Sequence, residues 1–224
     1  MANIFPRGSN ILPLKIVLVA LVFGSAVSLA VPYYFTPKYT RVGYQPRQPV
    51  NFPHDIHAGQ LGMDCRYCHS FVEVAAHSNV PTTQVCMNCH SQVQKDNPKL
   101  APLRESWATG KPMEWVQIHK TPDYVYFNHS AHVNRGVSCV SCHGKVNEMP
   151  VVYQHEPQSM SWCLDCHRNP EQALRPLDKI TDLNWVPPTA PGQSVEEAQL
   201  LLGADLKAKW HINPPDKNCF GCHR

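Results

Sequence analysis

The unusual part of this 224-residue chain is its content of 10 cysteines and 13 histidines. Every cysteine belongs to a Cys-x-x-Cys pair that a histidine follows at once, in the segments 65–69, 86–90, 139–143, 163–167 and 219–223. Cys-x-x-Cys-His is the attachment sequence of c-type haem. Two thiols at this spacing share one face of a helical turn, where each can bond to a haem vinyl group. The histidine after them then becomes the proximal iron ligand.

The motifs predict five covalently bound haem c groups. The attachment residues are Cys65, Cys68, Cys86, Cys89, Cys139, Cys142, Cys163, Cys166, Cys219 and Cys222, and the proximal ligands are His69, His90, His143, His167 and His223. Zinc sites of four cysteines also use such pairs, but zinc needs no histidine after each pair. A disulfide scaffold is the other alternative, although a disulfide within a Cys-x-x-Cys pair closes only a two-residue loop and stabilises a fold poorly.

Eight further histidines could bind the second face of an iron, enough for five haems with two histidine ligands each. The best candidates form two His-x-x-His pairs, His54 with His57 and His129 with His132, because residues three apart on a helical turn share a face. We predict His119 as the fifth distal ligand, since it opens the stretch that leads into the second pair. Methionine is an alternative at that iron, because a thioether ligand raises the potential; the candidates are Met63, Met149 and Met160. The lone histidines are more simply surface or packing residues, namely His77, His155 and His211.

The elements that must position these ligands repeat along the chain. Phe52-Pro-His54-Asp-Ile-His57 precedes the first two motifs, and Phe127-Asn-His129-Ser-Ala-His132 precedes the third and fourth. Proline-containing extended stretches, 42–50 and 118–126, lead into both units, so the pattern predicts a duplicated two-haem module. The fifth motif is an addition. It follows a proline-marked linker and a short helix over 198–210 that the capping box Ser194–Glu197 precedes.

We therefore expect four parts in the chain. Residues 1–40 would hold a cytoplasmic N-terminus and a single transmembrane anchor, 41–100 the first two-haem module, 101–175 the second, and 176–224 the linker, short helix and fifth-haem segment. The 21 prolines argue against a helical bundle or a large parallel sheet. The predicted fold is mostly irregular with short α-helices, a multihaem cytochrome c packed around five haems, plus one N-terminal transmembrane helix.

The anchor is predicted as a helix from about Leu14 to Phe35, because a hydrocarbon core of ~30 Å needs ~20 apolar residues. Arg7 and Lys15 near its start favour a cytoplasmic N-terminus, and the aromatic residues 33–35 resemble an interfacial belt. A cleaved signal peptide is the alternative, with 28–30 as a passable cleavage site. Because haem is attached on the outer face, we expect the haem domain on the periplasmic side of a bacterial inner membrane.

Four segments carry a family resemblance, namely Asp64-Cys-Arg-Tyr-Cys-His69, Cys86-Met-Asn-Cys-His90, Pro122-Asp-Tyr-Val-Tyr-Phe-Asn-His129 and Trp162-Cys-Leu-Asp-Cys-His-Arg168. Together they resemble the class III, cytochrome c₃/c₇-type multihaem family, and more closely the pentahaem cytochrome c subunit of alternative complex III. The resemblance covers about residues 41 to 175.

That resemblance implies a subunit of a membrane complex that oxidises menaquinol or a related quinol. Its neighbours would be polysulfide-reductase-like integral subunits, an iron–sulfur subunit and a monohaem cytochrome c, and it would pass electrons to a soluble acceptor. No catalytic site of its own is expected, because every motif ends in histidine and distal candidates outnumber irons. The alternatives are a self-sufficient quinol dehydrogenase of the NapC/NirT type and a reductase of nitrogen or sulfur oxyanions. The net charge of +3 is too weak to indicate a nucleic-acid binder.

Overall fold

The computed structural model of this chain describes residues 6–35, 41–215 and 218–223. Its contacts divide the chain into two units, Met1–Val42 and Gly43–Arg224. The predicted boundary at residue 40 and the last residue of the fifth-haem segment lie outside the described residues. The division of the second unit into two modules and a C-terminal segment therefore stays a prediction.

The first unit contains one long helix, α1, which runs over Leu12–Phe35 after a 3₁₀ turn at Arg7–Ile11. The apolar stretch Gly8–Tyr34 has a mean hydropathy of 2.4, and no part of its most apolar window is buried within the chain. The predicted helix is confirmed and begins about two residues earlier than expected. By length and composition it is able to cross a membrane.

The second unit consists of short helices joined by irregular segments. They are α2 (Cys65–Cys68), α3 (Thr83–His90), α4 (Ala101–Thr109), α5 (His129–Val133), α6 (Val140–His143), α7 (Met160–Arg168) and α8 (Val195–Lys209). Four attachment motifs lie at these helices, and the fifth lies on a 3₁₀ turn, Cys219–Gly221. Within the described residues there is no strand, only isolated bridges of Val125 with His223 and of Val137 with Leu174. The expected mostly irregular, helical architecture is confirmed.

Polar side chains set where several motif turns begin. Asp64, directly before the first motif, accepts a hydrogen bond from the backbone N–H of Arg66 at 2.8 Å. Asn218 does the same for Phe220 in the fifth motif, at 3.0 Å. Such N-caps satisfy backbone donors that the first turn leaves without partners. Each cap fixes the turn on which the two cysteines of its motif share a face.

The two His-x-x-His segments have the same ring arrangement on different backbones. Phe52 stacks on His57 with ring centres 4.2 Å apart, and Phe127 stacks on His132 at 4.6 Å. The glycine before the first motif, Gly62, lies five residues after His57, whereas the glycine before the third motif, Gly136, lies four residues after His132. In the first repeat the backbone forms a π-helix over Asp55–Gln60, which absorbs the extra residue, since a π turn closes over one more residue than an α turn.

Helix α8 begins at the predicted capping box and docks on the segment after the fourth motif. Ser194 and Glu197 make both reciprocal hydrogen bonds of the box, so the helix is confirmed and begins three residues earlier than predicted. The amide of Gln199 donates to the backbone carbonyl oxygens of Glu171 at 3.0 Å and Leu174 at 2.8 Å. These bonds attach the C-terminal helix to the backbone that follows the fourth site.

Apolar side chains buried in the described protein are few for a unit of this length. They are Val50, Leu103, Val133, Met149, Leu174, Ile180, Leu183, Ala198 and Leu206. None of them lies within a Cys-x-x-Cys-His motif. They lie on α4, α5, α8 and the connecting segments.

Candidate functional site

The ten cysteines are all unpaired thiols, so the disulfide alternative does not describe this structure. Among the residues that the structure describes, no group of three or more His, Cys, Asp or Glu side chains could hold a metal ion by itself. A four-cysteine zinc site therefore does not fit either, since zinc needs its ligands converged on one point. The pairs remain separate, as attachment of one haem to each pair requires.

Burial makes several of the thiols less reactive. Burial, followed by the charge of Cys166, raises the pKa of Cys142 to about 12. Burial also raises the pKa of Cys68 and of Cys86. By contrast, an interaction with the side chain of Cys139 lowers the pKa of Cys65. Because the thiolate is the reacting form, Cys142, Cys68 and Cys86 are unsuited to disulfide exchange in the folded chain.

The proximal histidines are oriented by backbone carbonyl groups. The Nδ1–H of His69 donates to the carbonyl oxygen of Asn79 at 2.8 Å, and that of His90 to Val93 at 2.9 Å. His167 donates to Pro215 at 3.1 Å. A hydrogen bond at Nδ1 holds the ring orientation and leaves Nε2 for a metal. In the fifth motif, the ring of His223 makes the corresponding, longer contact with Tyr124 O at 3.3 Å.

The second histidine of each His-x-x-His pair is held in the same manner. His57 Nδ1–H donates to Pro53 O at 2.9 Å, and His132 Nδ1–H donates to Asn128 O at 2.7 Å. In both cases the acceptor lies four residues earlier, so the two repeats orient this ring identically. His129 donates instead to Ala76 O, also at 2.9 Å, across to the loop after the first motif.

Two of these distal candidates face a proximal histidine at the distance that one iron requires. The ring centres of His57 and His90 are 6.2 Å apart, and those of His132 and His167 are 6.0 Å apart. A metal–imidazole bond is about 2 Å long. Two rings that bind one iron from opposite sides therefore have their centres about 6 Å apart. The second and the fourth sites each have such a facing pair.

The other histidines gather around the first and third sites. His143 is fully buried, which lowers its pKa to about 3, with further lowering from His119, His129 and nearby His69. Burial, followed by the charge of His69, lowers the pKa of His54 to about 4. These rings are neutral at physiological pH, which is the form that binds a metal. His54 and His129 therefore both lie near the third-motif His143, and His54 also lies near His69 of the first motif.

His119 lies beside the third site. Its ring centre is 4.3 Å from that of His143, edge to face, closer than two rings that share one iron. The use of His119 as the fifth distal ligand stays a prediction, and so do the other distal ligands. The role of Phe52 and Phe127 as stacking partners was not foreseen, although both stand five residues before a distal candidate.

Haem c fits these residues. The facing pairs accept an iron between them, the cysteine pairs lie on turns, and the scarcity of aliphatic core leaves room for macrocycles. A cavity of about 660 Å³ adjoins the third motif, with Val140, Gly144, Met149 and Tyr153 in its wall. The chain's own residues thus supply both the thiols and the nitrogen ligands that such a group needs.

Comparisons with known proteins point the same way. Residues 50–107 match the family described as cytochrome c7 and related cytochrome c. The chain is 37% identical over 100 residues to the menaquinone reductase, multihaem cytochrome c subunit, of Nitratidesulfovibrio vulgaris strain Hildenborough. That alignment covers 44% of this chain and 47% of the relative, so the chain spans about half the length of the curated relative that it matches. Residues 50–107 are therefore a cytochrome c7-like segment, in a chain homologous over the aligned residues to a multihaem cytochrome c subunit.

Proposed function

We propose that this chain is a membrane-anchored pentahaem cytochrome c that relays electrons within a quinol-oxidising membrane complex of the alternative complex III type. The observation that carries the proposal is the facing of His57 with His90 and of His132 with His167, at 6.2 and 6.0 Å between ring centres. An iron held between two such histidines would have no open position for a substrate, and its potential would follow from its ligands and its burial.

The chain's own residues perform three tasks in this proposal. The ten cysteines tether the haems, and the five motif histidines bind the proximal faces. Backbone carbonyls at Nδ1 keep the rings turned so that Nε2 meets the metal, as at His69 and His57. His54, His57, His129, His132 and His119 are proposed on the distal faces. Haem, when bound, takes up one electron at its iron and gives it back, so the chain needs no catalytic side chain.

The proposed setting is the outer face of a bacterial inner membrane. Helix α1 would be a single-pass anchor, and the haem domain would lie on the periplasmic side, where haem attachment takes place; a signal peptide is the alternative for α1. The partners would be integral polysulfide-reductase-like subunits, an iron–sulfur subunit, a monohaem cytochrome c and a soluble electron acceptor. Complex membership is supported by the similarity to a subunit of menaquinone reductase.

That same similarity favours a second candidate, a complex in which this chain delivers electrons towards menaquinone. The relative's name states reduction of menaquinone, and a bis-histidine relay works in either direction. A third candidate is a self-sufficient quinol dehydrogenase of the NapC/NirT type, in which the chain itself would bind quinol.

Quinol-driven haem reduction tests these candidates, measured on the chain purified alone and on its membrane assembly in mild detergent. Reduction in the assembly alone supports the relay, because the quinol site then lies on partner subunits. Equal reduction in both preparations contradicts it and supports the self-sufficient enzyme. If quinol reduces neither preparation while pre-reduced assembly is oxidised by menaquinone, electrons flow in the opposite direction.

A further inference from the structure

The second and first attachment motifs contact each other through their middle residues. The side-chain amide of Asn88 donates to the hydroxyl oxygen of Tyr67 at 3.2 Å. Asn88 lies between the cysteines of the second motif, and Tyr67 lies between those of the first. The two sites of the first repeat are therefore direct neighbours.

The first motif also contacts the third, across the two repeats. Thr181 Oγ donates to the carboxylate of Asp64 at 2.9 Å, directly before the first motif. The neighbouring carbonyl oxygen of Ile180 accepts from the backbone N–H of Cys139 at 3.2 Å. The segment 180–181 thus joins the first and third sites from one side.

The third motif is joined to the fourth, and the fourth to the fifth, by backbone contacts. The isolated bridge of Val137 with Leu174 joins the backbone just before the third motif to the backbone just after the fourth. The carbonyl oxygen of Pro215, four residues before the fifth motif, accepts the hydrogen bond of the fourth-motif His167 at 3.1 Å.

We propose that the five attachment sites form one unbranched row in the order second, first, third, fourth, fifth. The first repeat is reversed in this row relative to the sequence, because the two repeats meet through their first sites, Cys65 and Cys139. The ends of the row are the second site, around Cys86–His90, and the fifth, around Cys219–His223. This order rests on the proposed function, because it requires that the sites carry haem. It extends that function by naming the two end sites as those at which partner proteins exchange electrons with this chain.

Anomalous diffraction at the iron absorption edge, from crystals of the haem-loaded full chain, locates the irons without any electron transfer. We expect five irons, with a single near neighbour for the irons of the second and fifth sites and two for the others. An iron at the second site closer to the third site than to the first overturns the row, as does any site without an iron. If the quinol test contradicts the relay but the irons keep this order, the proposed function is refuted and the proposed order of the sites still holds.

Redox titration of two distal-ligand variants measures the same order in solution. His57→Met raises the potential of the second site and His132→Met that of the fourth, since methionine ligation raises haem potentials. A haem that is reduced first changes its charge and thereby shifts the midpoint potentials of the other haems. The shift is largest for adjacent haems, because the electrostatic interaction falls with distance. The second site is at an end of the row, so His57→Met should shift the midpoint potential of one other haem. The fourth site is in the interior, so His132→Met should shift the midpoint potentials of two other haems. The same number of shifted midpoints in both variants contradicts the row.

Discussion

The substitution Gly136→Ala adds a single methyl group and tests the packing between the third and fourth sites. It ends the turn after α5 with φ of 79°, and Gly62 occupies the equivalent place in the first repeat with φ of 65°. Each lies between a predicted distal histidine and the first cysteine of the attachment motif that follows. The two glycines differ in surroundings, since a Cβ on Gly62 would meet nothing within 4 Å. A Cβ on Gly136 would collide with the carbonyl oxygen of Arg175 and lie 2.7 Å from the ring of Trp210.

The expected destabilisation follows from these contacts. A side chain in the left-handed region costs about 1–2 kcal/mol, and Gly62→Ala should lose that amount of stability. Gly136→Ala adds an overpacking cost of about 1–3 kcal/mol. The backbone at Arg175 cannot move away, because its own N–H donates to Gly136 O at 2.8 Å. At about 2–4 °C per kcal/mol for a chain of this size, Gly136→Ala should melt about 2–12 °C lower than Gly62→Ala.

Thermal melts of the haem-loaded variants, followed by circular dichroism and by Soret absorption, measure this difference. Mass spectrometry first establishes that both variants carry the same number of haems as the wild type. Equal melting temperatures for Gly62→Ala and Gly136→Ala would refute the packing of Arg175 and Trp210 on this turn. A Gly62→Ala variant that melts below Gly136→Ala would refute it as well.

Three further changes test the ligands, the charge network and the C-terminal helix. His57→Met should convert one bis-histidine haem to histidine–methionine ligation with a raised midpoint, seen optically, whereas His211→Asn should not; an unchanged spectrum in both contradicts the facing pair. The hydrogen bond from Arg66 lowers the pKa of Asp64 to about 2, below its unfolded value of about 4, so this carboxylate stabilises the fold above pH ~4 and progressively less as the pH falls towards 2. Asp64→Asn keeps the cap and should lower the melting temperature at pH 7 but not at pH 2; a constant difference contradicts this assignment. Ser194→Ala removes the capping box and should cost about 0.5–2 kcal/mol, and an unchanged melt would mean that α8 adds nothing to global stability.

Local features were predictable from the sequence because their causes are local. The capping box Ser194–Glu197 needs only four consecutive residues, and it predicted α8 to within three residues of its observed start. An uninterrupted apolar stretch likewise predicted α1. The π-helix at Asp55–Gln60 was not predicted, although the one-residue difference between the repeats was visible. This segment also makes a tertiary contact, because the N–H of Asp55 donates to the carbonyl oxygen of Met149 at 3.2 Å, and no local pattern predicts it.

Ligand partners could be proposed from the sequence but not paired. His57 and His90 are separated by 33 residues of mostly irregular chain, so no periodicity relates them, and the facing of their rings depends on the whole first repeat. His119 was predicted as the fifth distal ligand because it opens a repeated stretch, and such an argument places a residue in a segment without saying which site the segment contacts. The structure places its ring edge to face against that of His143.

The scarcity of buried aliphatic side chains is a reason for backbone carbonyls to orient so many of the proposed ligands. In a protein with a dense core, packing restrains a side chain on all sides, but few aliphatic side chains are buried in the described part of this chain. The proposed ligands include His57, His69, His90 and His132. A hydrogen bond from Nδ1 to a carbonyl restrains the ring without a core, and all four rings make one. The same scarcity means that the haem groups must supply apolar contacts that hold the segments together. The chain expressed without haem attachment is therefore expected to be largely unfolded by circular dichroism beyond α1, and a cooperative thermal transition of that haem-free chain would contradict this reasoning.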